Sequence, residues 1–199
     1  LRTAFAELPR IEREWISPLD PASYGTARFL LLRGLGLIYL VAFYALQQQL
    51  YGLISSEGLL PADLFLEKAR LYFGEDATPW LRLPTLFWFS ASDAVLYLTC
   101  YVGLALSLSL LMGYAHALQL FALWAIYLSF NGIGQVFYGF IWEILLLEAG
   151  FLAIFLAPFG RGPTPPSTAV IWLYRWLLFR VLFGAGLIKL RGDACWWDL

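Results

Sequence analysis

An all-α membrane protein, a polytopic bundle of about five transmembrane helices, is what this sequence predicts, on three observations. Apolar side chains make up 61% of the 199 residues and charged ones only 14%, with a mean hydropathy of +0.71. Soluble domains carry about 45–50% apolar and roughly 25% charged residues, so this composition cannot assemble an ordinary water-facing surface. The apolar residues are gathered into stretches near the ~20 residues that a helix needs to cross a hydrocarbon core. Between the stretches stand short runs of Gly, Pro and Asn, which break helices.

Composition also excludes. A formal net charge of −1 provides no basic face, so nucleic acid is not an expected partner. Two cysteines, Cys100 and Cys195, are too few for a disulfide framework, and a bridge between them would have to join two different depths. No Cys/His cluster has metal-ligand spacing, and the single His116 reads as a turn residue, so no metal and no cofactor is expected. Gly184 and Gly186 form a Gly-x-Gly, but it ends an apolar helix and does not follow a strand, so it is no nucleotide cradle.

In chain order, residues 1–27 are read as a cytoplasmic segment; residues 1–23 mix charged and apolar side chains without the apolar core of a signal peptide. The chain opens on Leu1, and we expect it to be a piece of a longer protein. The first span covers 28–47, interrupted only by Arg33 and closed by Gln47-Gln48-Gln49. Segment 48–92 follows on the non-cytoplasmic side. Within it, residues 60–73 pattern as a short amphipathic helix, and 79–89 is an aromatic stretch suited to the headgroup region. It serves either as an interfacial belt that seats the spans or as a cap over a cavity beside Lys189. The second span, 93–113, opens on Asp93 as a helix N-cap. A Gly113–His116 turn leads into the third span, 115–131. Residues 131–135, with Asn131, Gly132 and Gly134, separate it from the fourth, 137–157. The Pro- and Gly-rich loop 158–166 precedes the fifth, 169–189.

Arg2, Arg10, Arg13 and Arg28 precede or open the first span, and Arg161 lies in the Pro-rich loop. Segment 48–92 has Lys68, Arg70 and Arg82 against Glu57, Asp63, Glu67, Glu75 and Asp76. The positive-inside rule then places the N-terminus in the cytoplasm, with 48–92 and the end of the last span on the opposite side.

Ionisable groups inside a membrane face protein and one another because their exposure to lipid is costly. The fourth span carries Glu143 and Glu148, the fifth Arg175 and Arg180. Glu148 and Arg180 each lie roughly 15 Å from the connecting loop, at 1.5 Å per residue. We expect them to pair near the midplane, and Glu143 to look into any cavity below the end of the last span. Arg175 and Lys189 lie within about 40° on one stripe of the last span, and Arg180 lies roughly opposite Lys189. That helix is therefore expected at the centre of the bundle, where Gly184 and Gly186 would admit close neighbours. Lys189 itself has two readings, an anchor reaching to the headgroups or part of a site.

The run Gly184-Ala185-Gly186-Leu187-Ile188-Lys189-Leu190-Arg191-Gly192-Asp193, followed by Cys195-Trp196, resembles the signature of the lipase maturation factor family. Trp142 with residues 145–153, then residues 173–180, and Gly58-Leu59-Leu60-Pro61-Ala62 fit the same family pattern. The resemblance runs from about the first span to the last residue. It implies a chaperone-like, membrane-embedded factor that assists the folding and assembly of secreted homodimeric lipases. It also implies the endoplasmic reticulum membrane for a eukaryotic source, or the inner membrane for a bacterial one. The partners implied are membrane lipid and a lipase client, the latter engaged largely through a second half of the family pattern that is absent here.

The same signature resembles a motif of the vitamin K-dependent gamma-glutamyl carboxylases, distant relatives in one membrane superfamily. That likeness implies the alternative, a carboxylase-like enzyme using Lys189 as a base on a lipid-soluble or membrane-adjacent substrate. Desolvation in an apolar pocket disfavours an ammonium, which is how a lysine can become a base near neutral pH. Arg191 replaces an acidic or polar neighbour of that pattern, and an extra residue precedes Trp196, so the maturation factor is the preferred reading. Transport along Glu143, Glu148, Arg175 and Arg180 ranks last, for want of repeats or broken helices. Cys195, on the oxidising side, is either paired outside this chain or a free redox thiol.

Overall fold

The computed structural model describes residues 24–73, 78–158 and 165–192. Among them are seven α-helices and no strand: α1 (Gly25–Leu53), α2 (Ala62–Phe73), α3 (Thr78–Arg82), α4 (Asp93–Met112), α5 (Ala117–Ile133), α6 (Ile141–Leu156) and α7 (Thr168–Arg191). Short 3-10 turns lie at Leu86–Trp88 and Gln135–Phe137. Helices α1, α4, α5, α6 and α7 overlap the five predicted stretches, but α1 continues through Gln47-Gln48-Gln49 to Leu53, past the expected end at 47. Three of them, α1, α4 and α7, are long and apolar enough to cross a membrane, with 29, 20 and 24 residues. α5 and α6 have 17 and 16 residues, each about 25 Å of helix against a core of ~30 Å. α6 starts at Ile141, later than the 137 expected, because Gln135–Phe137 forms a 3-10 turn with Gln135 at φ 51°. Gln135 is held there by its Nε2–H, which donates to Leu60 O at 3.2 Å.

α1 is the spine of the bundle. It is apolar nearly all round, as a helix bathed in lipid can be, yet only one stripe is buried: Leu32, Leu35, Gly36, Tyr39, Ala42, Phe43, Leu46 and Leu50. These positions recur every three or four residues, one face of a 3.6-residue period. Ile38, Val41 and Tyr44 on the other side are at least half exposed, as a lipid-facing surface is. The buried rings interlock. Tyr127 of α5 meets Tyr39 and Phe43 edge-on, each at 5.6 Å, and Phe130 meets Phe87 at 4.8 Å.

Two glycines admit those rings. A Cβ on Gly103 of α4 would lie 2.6 Å from the Phe43 ring, and one on Gly150 of α6 would lie 1.9 Å from Tyr39 Oη. Neither neighbour is a loose side-chain end, so any larger residue must push the helices apart.

The turns follow their local chemistry. Gly113 closes α4 in the left-handed region at φ 114°, and the Gly113 and Tyr114 N–H groups donate back to Ser109 O at 3.2 and 3.1 Å. His116 N-caps α5, its Nδ1 accepting the Leu118 N–H at 3.2 Å. Asp93, expected as an N-cap, is instead the first residue of α4; Ser92 holds the cap position. The Asp93 carboxylate is engaged across the chain. Ser56 N–H and Oγ–H donate to its two oxygens at 2.8 and 2.6 Å, fastening the turn after α1 to α4.

The segment after α1 lies over the C-terminal end of α5. Thr85 Oγ1 donates to Ser129 O at 3.2 Å and the Leu86 N–H to Ser129 Oγ at 3.0 Å, while Phe87 and Trp88 are buried. This packing covers the aromatic cluster. The cap beside Lys189 that the sequence allowed is not formed by these contacts. Leu71, Tyr72 and Phe89 remain exposed, as interfacial residues do.

The last span departs most from expectation. α7 lies at the edge of the described bundle, packed chiefly on α6, and only Val170 and Leu177 of its residues are buried. Nothing lies within 4 Å of a Cβ placed on Gly184 or Gly186, so neither glycine mediates a close helix approach among the described residues. The helical angles predict burial on two sides; in fact Arg175 and Arg180 reach sideways to Tyr24 and Glu148, which an edge helix can also do.

Gly103→Val is expected to lower the thermal unfolding midpoint in detergent by several degrees, in line with about 1–3 kcal/mol for overpacking. Gly184→Ala, where a methyl meets open space, is expected to leave the midpoint unchanged or higher.

Candidate functional site

Polar side chains inside a bilayer must find their acceptors within the protein. Here those acceptors are concentrated on one turn of α6. Trp124 Nε1–H of α5 donates to Leu147 O at 3.1 Å, and Tyr174 O–H of α7 to Ala149 O at 2.7 Å. Tyr39 O–H of α1 reaches Leu146 O at 3.5 Å, the longest of the three. Glu148, on the same turn, accepts from Arg180 Nη2–H. Four side chains from three helices thus converge on residues 146–149. The approach of Tyr39 depends on Gly150, whose missing side chain leaves its ring room.

The predicted polar residues separate into three places. Glu148 and Arg180 form an ion pair across α6 and α7, at the expected register. It faces outward: the Arg180 and Glu148 side chains are 51% and 37% exposed, so the pair lies on the rim of the helix interface and not in its core. Arg175 turns another way. Its Nη2–H donates to Tyr24 Oη at 2.7 Å, and its guanidinium lies 4.7 Å from the Trp172 ring centre.

Glu143 is the buried carboxylate, and its surroundings differ from expectation. Its Oε2 accepts the Phe140 N–H at 3.0 Å, closing the start of α6. It lines a cavity of about 210 Å³ with Gln49, Tyr127, Asn131 and Tyr138, and no residue of α7 contributes to that lining. The carboxylate therefore looks toward α1 and α5. Residue count gives the position of Glu143 along α6, but not the side it faces.

At the far end of α7, Lys189 and Arg191 are exposed on the last turn, and Gly192 caps the helix. A Cβ on Gly192 would meet Ile188 O at 2.7 Å, a steric reason for glycine there. Asp193, Cys195 and Trp196 of the signature lie outside the described residues. Among the described residues no group of three His, Cys, Asp or Glu could hold a metal.

Sequence reasoning overlooked three neutral donors to α6, Tyr39, Trp124 and Tyr174, and the Tyr24 hydroxyl that accepts from Arg175. A signal existed. Each is a hydroxyl or indole N–H within or beside an apolar stretch, where a donor needs an acceptor on a neighbouring helix.

Glu148→Gln leaves Arg180 without its counter-charge, and a loss of about 2.5–3.5 kcal/mol is expected, the scale of an arginine at mid-bilayer. Unfolding in lipid nanodiscs of Glu148→Gln, Arg180→Gln and the double variant measures the coupling. The double variant is expected to lose less than the sum of the singles; additive losses would show that the pair does not interact.

Comparison with known proteins agrees with a membrane bundle. Residues 26–199 match the family described as the lipase maturation factor transmembrane domain. Lipase maturation factor 1 of Mus musculus is 43% identical over 192 residues, covering 91% of this chain and 33% of that protein. The Homo sapiens protein of the same name is 42% identical over 193 residues, covering 91% and 34%. Lipase maturation factor 2 of Xenopus laevis is 40% identical over 187 residues, covering 87% and 26%. The chain thus spans about a quarter to a third of the length of these relatives. No solved structure matches. An integral membrane bundle whose match runs from the start of α1 through the signature, the chain belongs to the lipase maturation factor family.

Proposed function

We propose that this protein is a membrane-embedded maturation factor that assists the folding and assembly of secreted lipases, acting without turnover. The family match over 26–199, to relatives named for lipase maturation, carries the reading. In it, α1, α4, α5, α6 and α7 are five spans, and α2 and α3 lie at the non-cytoplasmic interface. The home membrane is the endoplasmic reticulum in a eukaryote or the inner membrane in a bacterium. This domain supplies the anchor and the polar ties between helices. The lipase client is engaged largely by parts of the family pattern outside this chain.

The distribution of charge supports a cytoplasmic N-terminus. Arg28 and Arg33 open α1, and Arg33 lies against the Gly113 turn between α4 and α5. Glu57, Asp63 and Asp93 are gathered at the opposite end, beyond α1 and at the start of α4. With Cys100 and Cys195 replaced by serine, Glu57→Cys is expected to react with a membrane-impermeant maleimide from the non-cytoplasmic side. Tyr114→Cys, on the 70% exposed turn residue, is expected to react from the cytoplasmic side only. The reverse pattern would invert the topology.

The exposed placement of Lys189 and Arg191 on the final turn of α7 supports interfacial anchoring over proton abstraction. A base working on a lipid-soluble substrate would call for a desolvated pocket, and no α7 residue lines the cavity that holds Glu143.

The test is to exchange the matching segment of the Homo sapiens relative for this chain, in cells lacking their own factor, and to measure secreted active lipase. Restored secretion is expected, and Lys189→Ala in the same chimera is expected to retain at least about half of it at equal membrane abundance. A chimera present at normal abundance that restores nothing would overturn the maturation reading. Loss caused by Lys189→Ala alone would return the lysine to the chemistry.

A further inference from the structure

Glu143 is only 2% exposed, and no Lys, Arg or His is among the described residues that line its cavity. One bond steadies it, the Phe140 N–H donating to Oε2 at 3.0 Å, which supplies a dipole and no counter-charge. A carboxylate withdrawn from water is costly unless a cation or a full set of donors replaces the solvent. The cavity has about 210 Å³ of room beside it, and half of its lining residues are aromatic, from Tyr127 and Phe130 to Trp142. Two other polar groups belong to the same lining. Asn131 gives an amide N–H to Tyr138 O, which leaves its Oδ1 as a further acceptor, and the buried Tyr138 hydroxyl has no hydrogen-bond partner. The cavity lies at one end of the bundle: Gln49 stands four residues before the end of α1, Asn131 two before the end of α5, and Glu143 third in α6.

These features together select an occupant. Water supplies dipoles to the carboxylate and no charge, and a hydrocarbon fills the space and leaves Glu143 unanswered. A calcium ion takes ~6–8 oxygen ligands, which one carboxylate among aromatic rings does not provide. An organic ammonium answers both halves of the lining, its charge meeting the carboxylate and its carbon shell meeting the ring faces. Ring faces offer no lone pairs, so a methylated ammonium suits them better than one that must place three N–H donors. We propose that the cavity binds a small methylated amino alcohol of the choline type, its cationic head between Glu143 and the aromatic rings. The oxygen of such a guest also offers the Tyr138 hydroxyl an acceptor. The volume is below the ~300–1,000 Å³ of sites for drug-sized ligands, which limits the guest to headgroup size. Free choline and the headgroup of a choline phospholipid share this chemistry, and a cavity at the end of the spans is at headgroup level. The site is independent of the lipase reading, because it rests on the cavity and its carboxylate alone.

Ala45 provides a second handle. It lines the cavity from an exposed position of α1, outside the buried stripe, so a leucine there adds bulk at the cavity and leaves the stripe intact.

The experiment is calorimetric titration of the full chain in a maltoside detergent with choline and, separately, with 3,3-dimethylbutan-1-ol, its uncharged isostere. Choline is expected to bind at least about tenfold tighter than the alcohol. In Glu143→Gln, whose amide oxygen still accepts the Phe140 N–H, the preference is expected to fall to within about twofold, with helical content by circular dichroism unchanged. Ala45→Leu is expected to weaken both compounds while the carboxylate remains. Equal affinities in the parent, a preference that survives Glu143→Gln, or unaltered binding in Ala45→Leu would each overturn the proposal. Should Glu143→Gln not fold, Ala45→Leu decides: undiminished choline binding overturns the site, and weakened binding supports it. Repeating the choline titration with dioleoyl-phosphatidylcholine or dioleoyl-phosphatidylglycerol present distinguishes the sources. Competition by the choline lipid alone supports a headgroup site, and choline binding that neither lipid reduces supports a site for the free amino alcohol.

Discussion

One turn of α6, residues 146–150, is what the arrangement of the other helices depends on. Carbonyl oxygens in a regular helix already accept one bond from the residue four ahead, and each has a second lone pair to offer. In water that capacity is spent on solvent. In a bilayer it is available to whichever donor reaches it. Tyr39, Trp124 and Tyr174 reach it from α1, α5 and α7, at the neighbouring carbonyls of Leu146, Leu147 and Ala149. Gly150 makes the first of these approaches sterically possible, since any side chain there would occupy the space of Tyr39 Oη. Lipid tails are as apolar as leucine, so helix association needs such directional contacts and close packing in place of a hydrophobic drive.

The rest of the bundle follows from that hub. With Tyr39 held at α6, the stripe through Phe43 and Leu46 sets the face that α1 shows to α4 and α5, and Gly103 accepts the Phe43 ring. Cys100 adds a further tie, its Sγ–H donating to Phe43 O at 3.4 Å. On the other side of α6, Tyr174 and the Glu148–Arg180 pair hold α7 in register although little of its surface is buried. The ion pair is worth more here than on a water-exposed surface, because separating its members in lipid exposes a full charge. The same register leaves an open groove of about 730 Å³ between α1, α6 and α7.

The charged residues show how far reading by residue count can go. Glu148 and Arg180 were matched by equal distance from a common loop, and they meet. Counting fixes depth because the helical rise is constant. Counting does not decide which side Glu143 or Arg175 faces, because facing depends on how each helix is rotated against its neighbours. Glu143 looks into the α1–α5 side and Arg175 toward Tyr24. The central position expected for α7 failed for the same reason: charges on two sides of a helix require partners on two sides, which need not be a complete ring of helices.

By itself the sequence determined that this is a membrane protein, roughly where its apolar helices lie, and which family it resembles. Composition, stretch length and turn residues are local properties, and a lipid solvent imposes them without reference to the fold. Which face of each helix is buried was decided only by the tertiary structure. In a soluble helix polarity marks the outward face, but α1 is apolar on both its lipid side and its protein side. Periodicity then carries no facing signal. The distinction between Ile38, which faces lipid, and Tyr39, which lies at the core, arises from ring shape, a facing glycine and a carbonyl on another helix.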